Sequence, residues 1–172
     1  MTGVQTCALP IWIEREPGWV VPARETPAAA AEAAPMHYRV IDEQVRVDER
    51  SVAEYHHVVR VVDQAAGLST ASLIELPFDP AYQTLVLHHL EVVRGGRHLN
   101  RLDPQRVQLL QRETQLEGRV LDGRLTFTVV LEDVRVGDEI DFAYGLRGAN
   151  PVFGGRFVHQ TEMGSYRGPV AL

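Results

Sequence analysis

The sequence has no lysine, a single cysteine and no apolar run long enough to span a membrane. All 17 of its basic residues are arginine, and with 23 acidic residues the formal net charge is −6. A chain with this balance lacks the basic surface that nucleic-acid binding requires, so we expect no nucleic-acid partner. Hydrophobic residues make up 45% of the 172 positions, which is typical of a globular domain with its own core.

The single cysteine, Cys7, lies in a stretch that does not look native. Residues 1–11, MTGVQTCALPI, back-translate into a common short-read sequencing adapter, and the Trp12 codon begins with the base that follows in that adapter. The stretch also lacks the charged and continuous apolar regions of a signal peptide. We therefore expect residues 1–11 to be adapter-derived and poorly packed. The native part then has no disulfide, thiolate metal site or cysteine nucleophile.

Residues 12–36 have the composition of a linker, with four prolines and the alanine-rich run AAAAEAA. Trp19 and Val20 are apolar enough to pack on the domain that follows. This linker therefore either makes no contact with that domain or packs on it through these two residues. The character of the sequence changes after Pro35, where β-prone segments begin. We expect residues 37–172 to form one β-sandwich domain, as a fragment of a longer protein.

Strand signals follow one another along residues 37–172 at a spacing of roughly 8–12 residues. Alternation is clearest in two segments, where the apolar residues of each share a face: Leu125, Phe127, Val129 and Leu131, then Ile140, Phe142, Tyr144 and Leu146. Gly95-Gly96 and Asp122-Gly123 supply turns. The pattern predicts an all-β fold, an antiparallel β-sandwich of about seven to nine strands with at most one short helix.

One segment, DPQRVQLLQRETQLE at residues 103–117, carries a helix-start signal. Asp103 would cap the helix and Pro104 would occupy its first position. A short strand at residues 107–111 is the alternative. The segment RFVHQTEM, residues 156–163, is expected to supply the last strand.

Seven histidines raise the question of a metal site. His56 and His57 are adjacent on a predicted strand, as are His88 and His89, so the two side chains of each pair should point to opposite faces. One histidine from each pair could share a site, but a third ligand, His159 or a carboxylate, would have to come from elsewhere. No H-x-H or H-E-x-x-H spacing prepares a site, so we expect no metal and no cofactor.

Catalytic motifs are equally absent from the sequence. No serine lies in a G-x-S-x-G motif, and the acidic pairs at 132–133 and 138–139 border turns, where solvated carboxylates are ordinary. The glycine-rich segments RGGRH and FGGRF do not match phosphate-binding loops. We therefore expect no catalytic residue in this chain.

The loop RGANPVFGGRF differs because it places two apolar residues among glycines and arginines. Such a loop either folds under its domain or contacts a partner. We take it as the candidate interaction loop, with four candidate contact residues: Asn150, Val152, Phe153 and Arg156.

Four segments in order, FDPAYQTL, RLDP, EDVRVGDEI and NPVFGG, resemble the bacterial domain-of-unknown-function family 3857. The resemblance covers residues 38–172. Domains of this family lie immediately N-terminal to a transglutaminase-like, cysteine protease-type domain in bacterial proteins, often in the cell envelope. The resemblance implies a β-sandwich, a periplasmic or cell-envelope location, and a catalytic domain downstream of Leu172.

On this basis we expect a non-catalytic N-terminal domain that docks on the missing catalytic domain or presents substrate to it. One alternative is a carbohydrate- or peptide-binding module, for which Tyr82, Phe153 and Tyr166 are the candidate exposed aromatic residues. Another is an independent hydrolase that uses histidine and carboxylates. The docking hypothesis requires a catalytic domain downstream. The binding module requires a carbohydrate or peptide ligand, and the hydrolase requires that the isolated chain turn over a substrate.

Overall fold

A computed structural model of the protein describes residues 11–23, 34–49, 51–111, 123–154 and 156–158. These residues form nine strands and one short α-helix in two sheets, which confirms the predicted all-β sandwich. The elements are β1 (Ile11–Ile13), β2 (Met36–Val47), β3 (Val52–Val62), α1 (Leu68–Ser72), β4 (Leu73–Phe78), β5 (Thr84–Arg94), β6 (Arg97–Asn100), β7 (Gln108–Gln111), β8 (Leu125–Val130) and β9 (Glu139–Arg147).

The larger sheet has the order β1-β5-β9-β3-β2, and the smaller sheet has the order β4-β8-β7. One edge of β5 pairs with β9, so β1 and β6 share its other edge. The β5–β6 hairpin turns at Gly95-Gly96, where positive φ angles of 55° and 75° favour glycine. β1 runs parallel to β5, whereas the other pairs among the described strands are antiparallel. The sandwich was predicted to be antiparallel, and the parallel pair β1–β5 is the exception to that prediction among the described strands.

The hydrophobic core lies between the two sheets and follows the predicted alternation. Phe127 of β8 and Ile140 of β9 are completely buried there, and Phe142 lies beside them. Leu87 and Leu90 of β5 add to the same core. Burial of these side chains is the main stabilising contribution that holds the sheets together.

A buried arginine ties the larger sheet to the short helix. Arg60 of β3 points into the sandwich, and its Nη2 donates to the carbonyl oxygens of Ala71 and Leu73, each at 2.8 Å. Its guanidinium also lies 5.5 Å from the ring centroid of Phe142. Those two carbonyls belong to the end of α1 and the start of β4, so Arg60 fixes the point where the chain passes between sheets.

The helix predicted at residues 103–117 is wrong in its described part. Asp103 does accept a hydrogen bond from the Gln105 amide, but only one 3-10 turn follows, Pro104–Arg106. β7 then pairs with β8 and places Leu109 opposite Phe127, as in the alternative prediction of a strand. Pairing with an exposed sheet edge satisfies the backbone and packs Leu109 on the core, which outweighs the capping signal. Residues 112–122 lie outside the described residues.

The described parts of the predicted linker are 12–23 and 34–36; Met36 already belongs to β2, so the linker ends one residue earlier than predicted, and residues 12–23 pack on the larger sheet. β1 pairs with β5, and Val21 exchanges two hydrogen bonds with the Gln44 side chain, of 2.9 and 2.6 Å. Residues 1–10 of the predicted adapter segment are outside the described residues, and Ile11 is the first residue of β1. The strand expected at residues 156–163 is absent from its described part, 156–158.

α1 is far too short to cross a lipid bilayer, and no helix among the described residues meets that requirement.

Candidate functional site

The outer face of the larger sheet, which points away from the core, is crossed by the N-terminal segment. We call residues 14–21 the strap. Its Glu14 amide donates to the Leu87 carbonyl of β5 at 3.0 Å, and the Glu14 carboxylate pairs with Arg147 of β9. Its far end, Val21, bonds Gln44 of β2. Because β5 and β2 lie on opposite sides of the sheet, the strap spans most of its width.

A β-bulge in β5 brings two neighbouring histidines to this outer face. The register of β5 against β9 shifts between Leu87 and His89. Leu87 and Leu90 both point into the core, so His88 and His89 both point outward. Bulges re-aim side chains in this way and are frequent next to functional sites. The prediction that His88 and His89 point to opposite faces is therefore wrong.

The same prediction is confirmed for the histidine pair of β3. His56 faces inward, where its ring stacks on Tyr144 at a centroid distance of 4.6 Å. His57 faces outward, where its ring meets that of His89 at 5.4 Å in an edge-to-face arrangement. One histidine from each pair thus reaches a common site, and a carboxylate completes it.

That carboxylate is Asp141 of β9, the strand between β3 and β5. Its Oδ1 accepts hydrogen bonds from Nε2 of His57 at 2.9 Å and from Nε2 of His89 at 2.8 Å. Both histidines lie opposite Ala143 in the sheet register, and the small side chain of Ala143 leaves room for the rings above it. We call His57, His89 and Asp141 the outer-face triad.

Electrostatics in the outer-face triad favour an ionised carboxylate. Burial alone would raise the pKa of Asp141, but the hydrogen bonds from His57 and His89 outweigh it and hold that pKa well below its usual range. Burial opposes the charged form of His89, yet the hydrogen bond to Asp141 and the Asp141 charge raise the pKa of His89. The Asp141 carboxylate therefore carries a negative charge that is stabilised by hydrogen bonds from His57 and His89.

The strap adds a second carboxylate behind His89. Glu16 Oε1 lies 3.2 Å from Nδ1 of His89, on the other side of the ring from Asp141. The same oxygen accepts a hydrogen bond of 3.0 Å from the hydroxyl of the buried Tyr55. Burial, reinforced by the Glu16 charge, raises the pKa of Tyr55 well above its usual value, so the hydroxyl remains a donor. Glu16 therefore orients His89 and is itself held in place.

The candidate interaction loop lies at another place, after the end of β9. The Asn150 side chain accepts a hydrogen bond from the Val152 amide and starts the 3-10 turn Pro151–Phe153, which Gly154 ends in the left-handed conformation. Val152 is 84% exposed and Phe153 is 42% exposed. The Arg156 amide donates to the Phe153 carbonyl. The four candidate residues therefore lie in one loop, in which the side chains of Val152 and Phe153 are exposed.

A small cleft of about 130 Å³ separates this loop from the DPAYQ turn before β5. Tyr82 of that turn and Phe153 both line the cleft, as do Arg156 and Phe157. Asn150 Nδ2 lies 3.4 Å from the Tyr82 hydroxyl and connects its two walls. Two of the candidate exposed aromatic residues, Tyr82 and Phe153, are thus brought together, whereas Tyr166 and His159 lie outside the described residues.

Sequence reasoning did not single out Asp141 or Glu16. Their role depends on which strands are neighbours, and on the strap folding back over the sheet, neither of which a local pattern reveals. One signal was available for His89. In LHHL the apolar residues are three apart instead of two, which indicates a bulge within a strand.

Comparison with known families agrees with this architecture. Residues 48–172 match the family DUF3857, which is described as a domain of unknown function with a solved structure. The chain belongs to the DUF3857 family. No curated protein gives a significant match.

A solved structure shares the fold of this DUF3857 domain. It is the crystal structure of a "putative protease" from Parabacteroides distasonis ATCC 8503, with a TM-score of 0.61 and 13% sequence identity. The match covers 69% of the present chain and 24% of the other one. The matched part of the DUF3857 chain therefore spans about a quarter of that protein's length.

Proposed function

We propose that this DUF3857 domain is a non-catalytic β-sandwich that docks on a transglutaminase-like, cysteine protease-type domain downstream in its native chain. The interaction loop is the proposed contact surface. The observation that carries the proposal is a run of exposed apolar side chains after β9. Four of them lie within seven residues: Val152, Phe153, Phe157 and Val158. Exposed apolar side chains grouped in this way are typical of a protein contact.

Hydrogen bonds fix the described part of the loop before residue 155, which suits a docking surface. Its 3-10 turn is capped by Asn150 and closed by Gly154. Gly148 anchors its start, since its amide donates to the Val52 carbonyl at 2.9 Å and its Cα packs against the Tyr82 carbonyl. A preformed surface loses little conformational entropy on association.

The described residues include no serine hydroxyl that is hydrogen-bonded to a histidine, which is in keeping with a non-catalytic role. They contain no cysteine, and the Ser51 and Ser72 hydroxyls donate to Asp48 and to the Leu68 carbonyl instead of a histidine. The outer-face triad has two bases and a carboxylate without a hydroxyl or thiol nucleophile beside it. The length of the Parabacteroides distasonis protein, about four times the matched part, fits a domain that belongs to a larger protein.

A comparison of two surface variants tests the proposal. The chain alone and the protein extended by its downstream coding sequence are each made with Phe153→Ser or Val130→Ser. Val130 is the matched control, since it is 61% exposed and lies on the other sheet. Phe153→Ser should lower the unfolding midpoint of the extended protein by an amount equivalent to about 1–2 kcal/mol of interface energy, and leave the chain alone nearly unchanged.

Two results would contradict the proposal. One is an equal effect of both substitutions in both proteins. The other is a downstream reading frame that encodes no domain with a Cys, His and Asp arrangement.

A peptide- or carbohydrate-binding module is the second candidate, because Tyr82 and Phe153 line one cleft. That cleft has a volume of about 130 Å³, smaller than the roughly 300–1,000 Å³ of most small-molecule pockets. Its size favours a flat protein contact over an enclosed ligand. Glycan and peptide arrays with the purified chain, and with Tyr82→Ala as the control, distinguish the two functions.

A further inference from the structure

We propose that the outer-face triad, His57, His89 and Asp141, binds a divalent transition metal ion. The three side chains come from three adjacent strands and present Nε2, Nε2 and Oδ1 to one point. These potential ligand atoms all lie within 4.8 Å of one another. Two imidazoles and one carboxylate are a common ligand set for zinc and related ions.

The distances in the triad fit an ion after a small movement. The Asp141 oxygen is 2.9 and 2.8 Å from the two histidine nitrogens. Ligands bonded at about 2.0–2.1 Å around a tetrahedral ion are about 3.3 Å apart, so each contact must open by roughly half an ångström. The side chains are about a quarter exposed, which leaves the ion a path from solvent. Their backbones lie in the middle of a six-stranded sheet, which keeps the site in place.

The environment of His89 supports metal binding more specifically than the cluster alone. A metal-ligating histidine nearly always donates its second ring N–H to a carboxylate or carbonyl, which fixes its tautomer and orientation. Glu16 occupies that position, 3.2 Å from Nδ1 of His89, while Nε2 faces Asp141. Tyr55 in turn fixes Glu16. The strap thus supplies the carboxylate that orients a metal-binding His89, and binding of an ion there would stabilise the strap on the sheet.

The sequence alone did not predict a metal site, because adjacent histidines on a strand alternate between faces and no H-x-H or H-E-x-x-H spacing of ligands is present. The bulge in β5 removes the first objection, since it turns His89 outward, and Asp141 supplies the missing third ligand. Two nitrogen donors disfavour Ca²⁺ and Mg²⁺, which prefer oxygen ligands. Zn²⁺ is therefore the appropriate probe, with its fourth position open to water.

The inner face provides a matched comparison. There His56 lies 3.8 Å from Glu43 and 3.5 Å from Glu54, so three potential ligands also converge. That cluster has one histidine, whose ring is stacked on Tyr144. We infer no metal at that cluster, and His56 serves as a control.

Calorimetric titration of the untagged chain with ZnCl2 tests the site. A Cys7→Ser background removes the only thiol. The expected result is one Zn²⁺ per chain, with affinity lowered at least about 100-fold by His57→Gln or His89→Gln. Glu16→Gln should lower the affinity about 10–100-fold, as outer-shell changes do. Controls His56→Gln and His98→Gln should leave it unchanged, because His98 instead pairs with Glu91 on the sheet edge.

Nitrogen NMR of the unsubstituted chain gives a second readout that does not depend on how the variants fold. Zn²⁺ should shift the Nε2 resonances of His57 and His89 and leave those of His56 in place. The absence of stoichiometric binding would overturn the proposal. Equal loss of affinity in the His56 or His98 controls, or a Zn²⁺-induced shift at other histidines only, would also overturn it.

Discussion

Among the described glycines, Gly148 is the one at which an added methyl group would come closest to a backbone atom. It joins β9 to the interaction loop with a φ of +133°, which side chains other than glycine rarely adopt. A Cβ at this residue would lie 1.7 Å from the Tyr82 carbonyl oxygen and 2.9 Å from its carbonyl carbon. Both atoms are backbone, so neither can rotate away. Gly148→Ala must therefore strain the chain or separate the loop from the DPAYQ turn.

The magnitude follows from two contributions. An unfavourable φ costs about 1–3 kcal/mol, and a forced overlap in a packed region costs about 1–3 kcal/mol more. The expected loss for Gly148→Ala is about 2–6 kcal/mol, a large part of the 5–15 kcal/mol of a typical domain. Two controls separate the contributions, since Gly95 has a positive φ without a neighbour within 4 Å, and Gly18 has neither constraint.

Urea denaturation followed by far-ultraviolet circular dichroism measures these differences. We expect Gly148→Ala to be the least stable variant and Gly95→Ala to lose about 1–2 kcal/mol. Gly18→Ala should stay within about 0.5 kcal/mol of the original protein. If Gly148→Ala proved as stable as Gly95→Ala, the loop would not be packed on the turn, and its proposed shape as a docking surface would be refuted.

Three further substitutions test the core and the buried charges. Phe127→Ala should cost about 3–5 kcal/mol in urea denaturation, because it empties a fully buried position between the sheets; a loss below about 1 kcal/mol would contradict that packing. Hydrogen bonds from Arg94 hold the pKa of the buried Asp138 below its usual value, so this pair stabilises the protein above about pH 4 and the stabilisation is lost as the pH falls. Asp138→Asn should therefore flatten the dependence of the urea midpoint on pH between about pH 5 and pH 2, and an unchanged slope would speak against the pair. Arg60→Met leaves two carbonyls at the junction of α1 and β4 without their donor and should cost about 1–3 kcal/mol in thermal denaturation, whereas unchanged stability would show that other donors replace it.

Local patterns in the sequence were sufficient to predict most of the strands of the sandwich and the side chains that form its core. The alternation around Phe127 and Ile140 correctly identifies which side chains enter the core, because a side chain in a strand can face only one of two ways. Gly95-Gly96 correctly marks a hairpin, since the turn requires positive φ at both residues. These features depend on neighbours in sequence, so they are readable without the fold.

The misassigned helix shows where local signals fail. Asp103 and Pro104 do start a helical turn. Whether the helix continues depends on a strand far away in sequence, because that strand offers the same residues an alternative set of hydrogen bonds. The edge of β8 offers backbone partners and a place for Leu109 on the core. Pairing between distant strands decides the outcome, and capping residues carry no information about it.

The outer-face triad was only partly predictable, for a related reason. The sequence indicated that one histidine from each adjacent pair could meet, and His57 and His89 do so. It did not identify Asp141, because the order β3-β9-β5 places that residue between them and strand order is not written in any short motif. The unusual spacing of Leu87 and Leu90 is the one local clue that could have predicted the bulge.

Hydrogen–deuterium exchange at the interaction loop tests the central claim, docking on a downstream domain, most directly. Exchange is compared for residues 150–158, which comprise most of the interaction loop and the exposed Val158 after it, in the present chain and in the protein extended by its downstream sequence. The docking proposal predicts at least about tenfold slower exchange of this loop in the extended protein, equivalent to about 1.4 kcal/mol, with the β4–β8 sheet unchanged. Equal exchange of residues 150–158 in the two proteins would contradict it.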